Sequence, residues 1–195
     1  MTLGNECIHS PTKSEITMST NGNTNQLEGI LAKLDLKPLT HGEALAAIVG
    51  QSGFNLLVDM PSITYVGFDA AHNTLVAQLV VGDKHLNTWG TLHGGMIATL
   101  VDVITSIAIC EAGHPTTGMS VELSASYVKA APNGSTIVVV AEVERIGGNL
   151  AFSRCQLFTS VNDGGFLVAS GRHTKFIGGQ FVDRKRGELR PAAKL

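Results

Sequence analysis

The stretch from Met96 to Ile109 constrains this chain more than any other. It is almost entirely apolar, spans about four turns if helical, and carries one charge, Asp102. Gly94 and Gly95 precede it, and Gly113 and Pro115 follow Glu111, so the helix has an opening and a stop. Its length falls short of a bilayer span, and it reads as a buried helix. A helix apolar nearly all round must be covered on most of its sides. Strands are what the sequence supplies to cover it: MSVELSASYVKA, STIVVVAEVERI, LAFSRCQLFTSV and FLVASGRHTKFI follow in turn. Asn133-Gly134, Gly147-Gly148-Asn149 and Asn162-Asp163-Gly164-Gly165 separate them. Such regular turn punctuation predicts an antiparallel meander. The expected fold class is α+β, a strongly curved antiparallel sheet wrapped around one long apolar helix.

Upstream, residues 62 to 82 read as a hairpin, ITYVGFD and TLVAQLVVG joined by Ala70-Ala71-His72-Asn73. Leu27 to Leu57 show looser helical periodicity, through Ile30, Leu31 and Leu34 and then Ala44, Leu45, Ala47, Ile48 and Val49. One short and one longer helix are expected, stopping near Gly50 and Gly53. The first residues lack the apolar core of a secretory signal. The resulting division is a disordered lead over 1–26, a single domain over 27–180 and a basic tail over 181–195.

Lys plus Arg (14) nearly balance Asp plus Glu (16) in the 195 residues. No basic field is available for nucleic acid, and a small-molecule substrate is the expectation. Cys7, Cys110 and Cys155 are odd in number and sit mostly in apolar runs, which suits reduced thiols in an intracellular protein; no disulfide framework, metal site or resident cofactor is expected. The final Ala193-Lys194-Leu195 resembles a Ser-Lys-Leu peroxisomal address, with Arg184, Lys185, Arg186 and Arg190 before it. The alternative is an ordinary frayed terminus of a cytoplasmic protein.

Chemistry concentrates at the apolar helix. His93 followed by Gly94 and Gly95 at a helix start leaves backbone N–H groups unpaired at the positive end of the dipole, and glycine lets a ligand approach them. That arrangement can polarise a carbonyl. Asp102 lies among Leu100, Val101, Val103, Ile104 and Ile107, where desolvation is expected to make it a stronger base or nucleophile. Eight helical residues span about 12 Å, so Gly94 and Asp102 of one chain cannot touch the same reacting carbon. Two copies packed with their helices antiparallel would bring Gly94 of one to Asp102 of the other, which predicts a homodimer with composite sites.

The segments Asn87 to Asp102, Gly118-Met119-Ser120-Val121-Glu122 and Gly171-Arg172-His173-Thr174-Lys175 resemble the hotdog-fold acyl-CoA thioesterases of the phenylacetate-degradation type. The resemblance covers roughly residues 54 to 179. It implies hydrolysis of acyl-CoA to free CoA and a carboxylic acid, with coenzyme A as part of the substrate, and a homotetramer built as a dimer of dimers. Asp102 matches the acidic base or nucleophile, and Gly94 the backbone donor that polarises the thioester carbonyl. Asn87 and His93 match the pair that orients the thioester and water, and Ser120 the serine that helps hold the water. Gly95, Arg145, Gly148, Asn149, Arg172, His173 and Lys175 are the candidates for gripping the substrate and its CoA phosphates, although the Arg145–Asn149 turn is Gly-rich where this family often carries a lysine.

Each residue also has a plainer reading. His93 can be a capping histidine, Asn87 a turn cap, and Ser120 one member of a polar strand face with Glu122, Ser124 and Ser126. Arg172, His173 and Lys175 can be a solvated strand end. Trp89 is expected to pack. Asp102 could instead pair with a buried arginine. The alternatives to hydrolysis are a non-catalytic hotdog protein that binds or senses acyl-CoA, and a hotdog enoyl-CoA hydratase.

Overall fold

The apolar run forms helix α3 (Gly94–Glu111) in the computed structural model of the chain, which describes residues 26–40, 53–57, 62–178, 181–182 and 189–190. His93 caps its start, its imidazole accepting from the Gly95 N–H, and Gly113 closes its end at φ 98°, a left-handed geometry that glycine adopts without strain. By length and composition α3 could cross a membrane, contrary to the expectation that it is too short. It is instead a core helix, most of its residues buried beneath the sheet.

The short helices α1 (Gln26–Leu31) and α2 (Gly53–Leu57) precede six strands: β1 (Thr64–Asp69), β2 (Thr74–Val80), β3 (Met119–Tyr127), β4 (Thr136–Ile146), β5 (Leu150–Thr159) and β6 (Leu167–Phe176). Gly53, expected near a helix stop, opens α2. The longer helix expected over Ala44–Val49, the lead before Gln26 and the C-terminal tripeptide lie outside the described residues. Phe181–Val182 pairs with Leu189–Arg190 in a separate two-stranded ladder.

The six strands form one antiparallel sheet in the order β1-β2-β4-β5-β6-β3. β1–β2 is the predicted hairpin, and β4, β5 and β6 are a meander. β3 departs from the expectation: β2 already occupies the place beside β4, so β3 pairs with β6 at the far edge. Leu75, Ala77, Leu79, Ile137, Val139, Ala141 and Leu157 line the concave face against Leu100, Val101, Ile104, Ile107 and Ala108 of α3. Val76, Val138, Val140 and Phe158 point the other way and are covered by Leu27, Leu31 and Leu34. With both faces of β2 and β4 buried, these strands read as runs of Val, Leu, Ile and Ala with little polar alternation. The arrangement is the hotdog fold, a curved sheet around a central helix.

Candidate active site

Asp102 lies midway along α3, on the side of the helix that faces β6 and β3. Its side chain is 47% exposed in the single chain, so the deeply desolvated carboxylate expected from its apolar neighbours in sequence is not what the fold provides. Sequence neighbours on a helix point in different directions, and those that share the Asp102 face are Thr105 and Ser106, three and four residues on.

Four polar groups surround Asp102 Oδ1. Ser106 Oγ and Ser120 Oγ each stand 3.5 Å from it, and His173 Nε2 and Lys175 Nζ each 3.6 Å. Among the described residues no donor reaches Oδ2. The hydrogen bonds behind this shell fix where the protons are. Thr105 Oγ1 donates to the Val101 carbonyl at 2.7 Å, which leaves it to accept from His173 Nδ1–H at 2.7 Å. Burial, helped by the Lys175 ammonium and opposed by Asp102 and Glu122, pushes His173 down to about 4, so the ring is neutral at pH 7. Its Nε2 is therefore a lone pair, and it accepts the Ser120 hydroxyl at 2.9 Å.

His173 and Lys175 require correction as CoA-phosphate contacts or a solvated strand end. They are 0% and 5% exposed and point into the sheet's concave side. Lys175 Nζ donates to Ser106 Oγ at 2.7 Å, and the cation beside Asp102 is this lysine, not the arginine considered from sequence. Burial lowers the Lys175 pKa, and Asp102 opposes that shift. Arg172 does face outward, where it pairs with Glu144 at 3.3 Å.

Ser120 also departs from its plain reading. A bulge at Val121 puts Ser120 opposite Lys175 but Glu122 opposite Thr174. Ser120 therefore shares the inward face with Lys175, while Glu122, Ser124 and Ser126 stay outside.

The second cluster lies at the start of α3. His93 Nδ1 accepts from Gly95 N at 2.8 Å, so the N–H of Gly95, a candidate for substrate binding, is engaged within the chain. The Gly94 N–H is taken by no described residue, and Tyr127 Oη donates to the Gly94 carbonyl at 3.2 Å. A Cβ on Gly94 would meet the Tyr127 ring at 3.3 Å, so glycine permits that contact. Asn87 accepts from the Trp89 and Thr91 N–H groups and donates to Thr91 Oγ1, which holds the 87–91 loop in shape. Trp89, expected to pack, is 85% exposed.

In the β4–β5 turn, Arg145 and Gly148 are exposed, and the Asn149 carbonyl accepts from Ile177 and Gly178, tying the turn to the end of β6. Cys110 and Cys155 are buried, as expected of core thiols. Two clefts of the single chain, of about 210 and 270 Å³, involve Arg154 on the outer sheet face, and Asp102 lines neither. Sequence reasoning missed Thr105 and Ser106; their spacing from Asp102 was the available signal.

Residues 90–164 match the family model described as Thioesterase superfamily. Acyl-coenzyme A thioesterase 13 of Mus musculus is 36% identical over 138 residues, which are 70% of this chain and 93% of that protein. The Homo sapiens protein of the same name is 40% identical over 111 residues, 56% of this chain and 76% of that one. The crystal structure of zebra fish thioesterase superfamily member 2 superposes with a TM-score of 0.64 at 35% identity, covering 73% of this chain and 99% of its own. A hypothetical thioesterase from Streptococcus pneumoniae, solved with coenzyme A, shares the fold at 21% identity and a TM-score of 0.55, covering 61% of this chain and 88% of that one. A relative more than a third identical over nearly its whole length, on the same curved sheet and helix, places this chain in the thioesterase superfamily, to which it belongs as an enzyme.

Proposed function

We propose that the chain hydrolyses acyl-CoA thioesters to free CoA and a carboxylic acid, with Asp102 as the general base. The observation that carries this reading is the asymmetry of Asp102: Oδ1 is surrounded by Ser106, Ser120, His173 and Lys175, while Oδ2 meets no donor among the described residues. A water lodged beside Oδ2 gives one proton to the carboxylate. Because Ser120 commits its own proton to His173, its lone pairs can accept the water's other hydrogen, which aims the water's free pair at the thioester carbon. As the new C–O bond forms and the C–S bond breaks, the sulfur leaves as the CoA thiolate and takes up a proton. Support for CoA as the leaving group comes from relatives named acyl-coenzyme A thioesterase and from the coenzyme A bound in the streptococcal neighbour.

The carbonyl oxygen needs a donor, and the Gly94 N–H at the start of α3 fits that role. It lies eight residues, about 12 Å, from Asp102 on its own chain. We therefore place the Gly94 of a second copy over each Asp102. Met119, Val121, Leu123 and Tyr127 on the open edge strand β3, with Trp89 before α3, expose apolar surface that a second copy would bury.

Thiol release from a panel of acyl-CoAs, with wild type and Asp102→Asn, tests the reading. Wild type releases CoA, and the variant is slower by about 10² to 10⁴. Absence of release by wild type at every acyl length would sink it.

A further inference from the structure

We infer that Lys175 is a positioning residue for hydrolysis: among the described residues its buried ammonium is the one cation paired with Asp102 Oδ1, and it turns the carboxylate so that Oδ2 meets the water. The inference rests on the reading of Asp102 as the base.

Four groups lie near Oδ1, and three of them have no proton to offer it. Ser106 Oγ gives its hydrogen to the Asp102 carbonyl at 2.6 Å, Ser120 gives its own to His173, and His173 Nε2 is a lone pair. Among the described residues only Lys175 remains. Its Nζ gives one hydrogen to Ser106 Oγ at 2.7 Å and stands 3.6 Å from Oδ1 as an ion-pair partner. Ser106 thus accepts from Lys175 while donating to the backbone of Asp102, which locks the ammonium to the same helical turn as the carboxylate. The register of β6 sets the height: Lys175 pairs with Ala151 on β5 and with Ser120 on β3, so it enters the concave side level with Asp102.

Burying an ammonium without a counter-charge costs several kcal/mol, and Asp102 is the carboxylate beside it. The other titratable groups around the pair are Cys110 on α3, His173 on β6 and Glu122 on β3. Cys110, raised to about 11 by burial, Glu111 and in spite of Lys175, is a neutral thiol at pH 7, and His173 is a neutral ring there. Glu122 is turned to the outer face by the Val121 bulge and contacts Thr174. Among the described residues, the charge that balances Asp102 from within the site is therefore that of Lys175.

Lys175→Met removes the charge and keeps the bulk. Two results are expected: kcat falls by about 10- to 100-fold, and KM for acyl-CoA stays within about twofold. A raised KM with unchanged kcat would overturn the inference in favour of a phosphate contact. A second measurement covers the case in which Lys175→Met does not fold. Lysine-selective carbon-13 and nitrogen-15 NMR of the full chain follows the Lys175 titration in wild type and in Asp102→Asn. Loss of Asp102 shifts that titration to lower pH if the two are paired, and no shift overturns the pairing. Wild type that releases no thiol while the NMR shift is present would defeat the hydrolase reading and leave the pairing standing.

Discussion

Ser120 stands opposite Lys175 across the β3–β6 ladder, yet Glu122, two residues further along β3, stands opposite Thr174. Two steps on one strand match one step on the other, so Val121 is an extra residue and the strand changes phase at that point. The consequence is chemical, since the bulge sends one serine of the series to Asp102 and leaves the others outside.

Serine substitutions along β3 should separate accordingly. Ser120→Ala is expected to lower kcat by about 10- to 100-fold, because the water loses an acceptor beside Asp102. Ser124→Ala and Ser126→Ala, on the outer face, should leave the rate within about twofold of wild type. Initial rates of thiol release compare the three, and equal losses would show that Ser120 acts as an ordinary strand residue.

Stability should depend on pH through His173. The ring takes up its proton at an ordinary histidine pKa near 6.5 when the chain is unfolded and at about 4 when folded. Between those values the unfolded chain binds more protons, so stability is fully present above about 6.5 and is lost as pH falls towards 4. Urea unfolding at a series of pH values measures this slope, and His173→Gln should flatten it across the same window. An unchanged slope would show that other groups carry the acid sensitivity.

The fold was largely legible because its signals are local. An apolar helix with one charge, a hairpin joined by Ala70 to Asn73 and three turn clusters marked out the elements around the site, and GTLHGG placed the helix start. Strand order was not legible, since nothing in β3 itself says that β2 already occupies the edge of β4. The site was half legible for a related reason. Asp102 and His93 announce themselves by contrast with their sequence neighbours, whereas His173 and Lys175 sit in GRHTKF, a polar stretch that a solvent-facing strand end would equally show. Only the curvature that folds β6 over α3 makes those side chains buried. Alternation misassigned Ser120 because a single-residue bulge leaves no mark in composition.

Close approach of β6 to the helix depends on Gly171. A Cβ there would come within 2.8 Å of the Ser124 carbonyl and 2.9 Å of both Val101 methyl groups. Gly171→Ala must push α3 and β6 apart or displace β3, at a cost of about 1–3 kcal/mol. Because His173 and Lys175 lie two and four residues further along β6, the same displacement should lengthen their contacts with Asp102. The expected outcome is a lower urea midpoint together with a reduced kcat. A variant with full activity and an unchanged midpoint would show that the packing at Val101 has slack.

The proposed composite site makes the strongest demand on assembly. Asp102 and the Gly94 N–H of one chain are separated by eight helical residues, about 12 Å, so each inactivating substitution should damage a different half of the site. Gly94→Pro removes the N–H at the first position of α3, where the fixed φ of proline suits a helix start. Asp102→Asn removes the base while leaving Gly94 intact. In a mixed dimer one site combines Gly94 of the Asp102→Asn chain with Asp102 of the Gly94→Pro chain and is whole, while the other site carries both lesions. Random re-pairing of equal amounts should therefore restore about a quarter of the wild-type activity per site, and the purified mixed dimer about a half. Two differently tagged chains, co-expressed and isolated by both tags, provide the preparation. Mixed dimers that are isolated intact and remain as inactive as either parent would show that Gly94 and Asp102 do not meet across the subunit boundary.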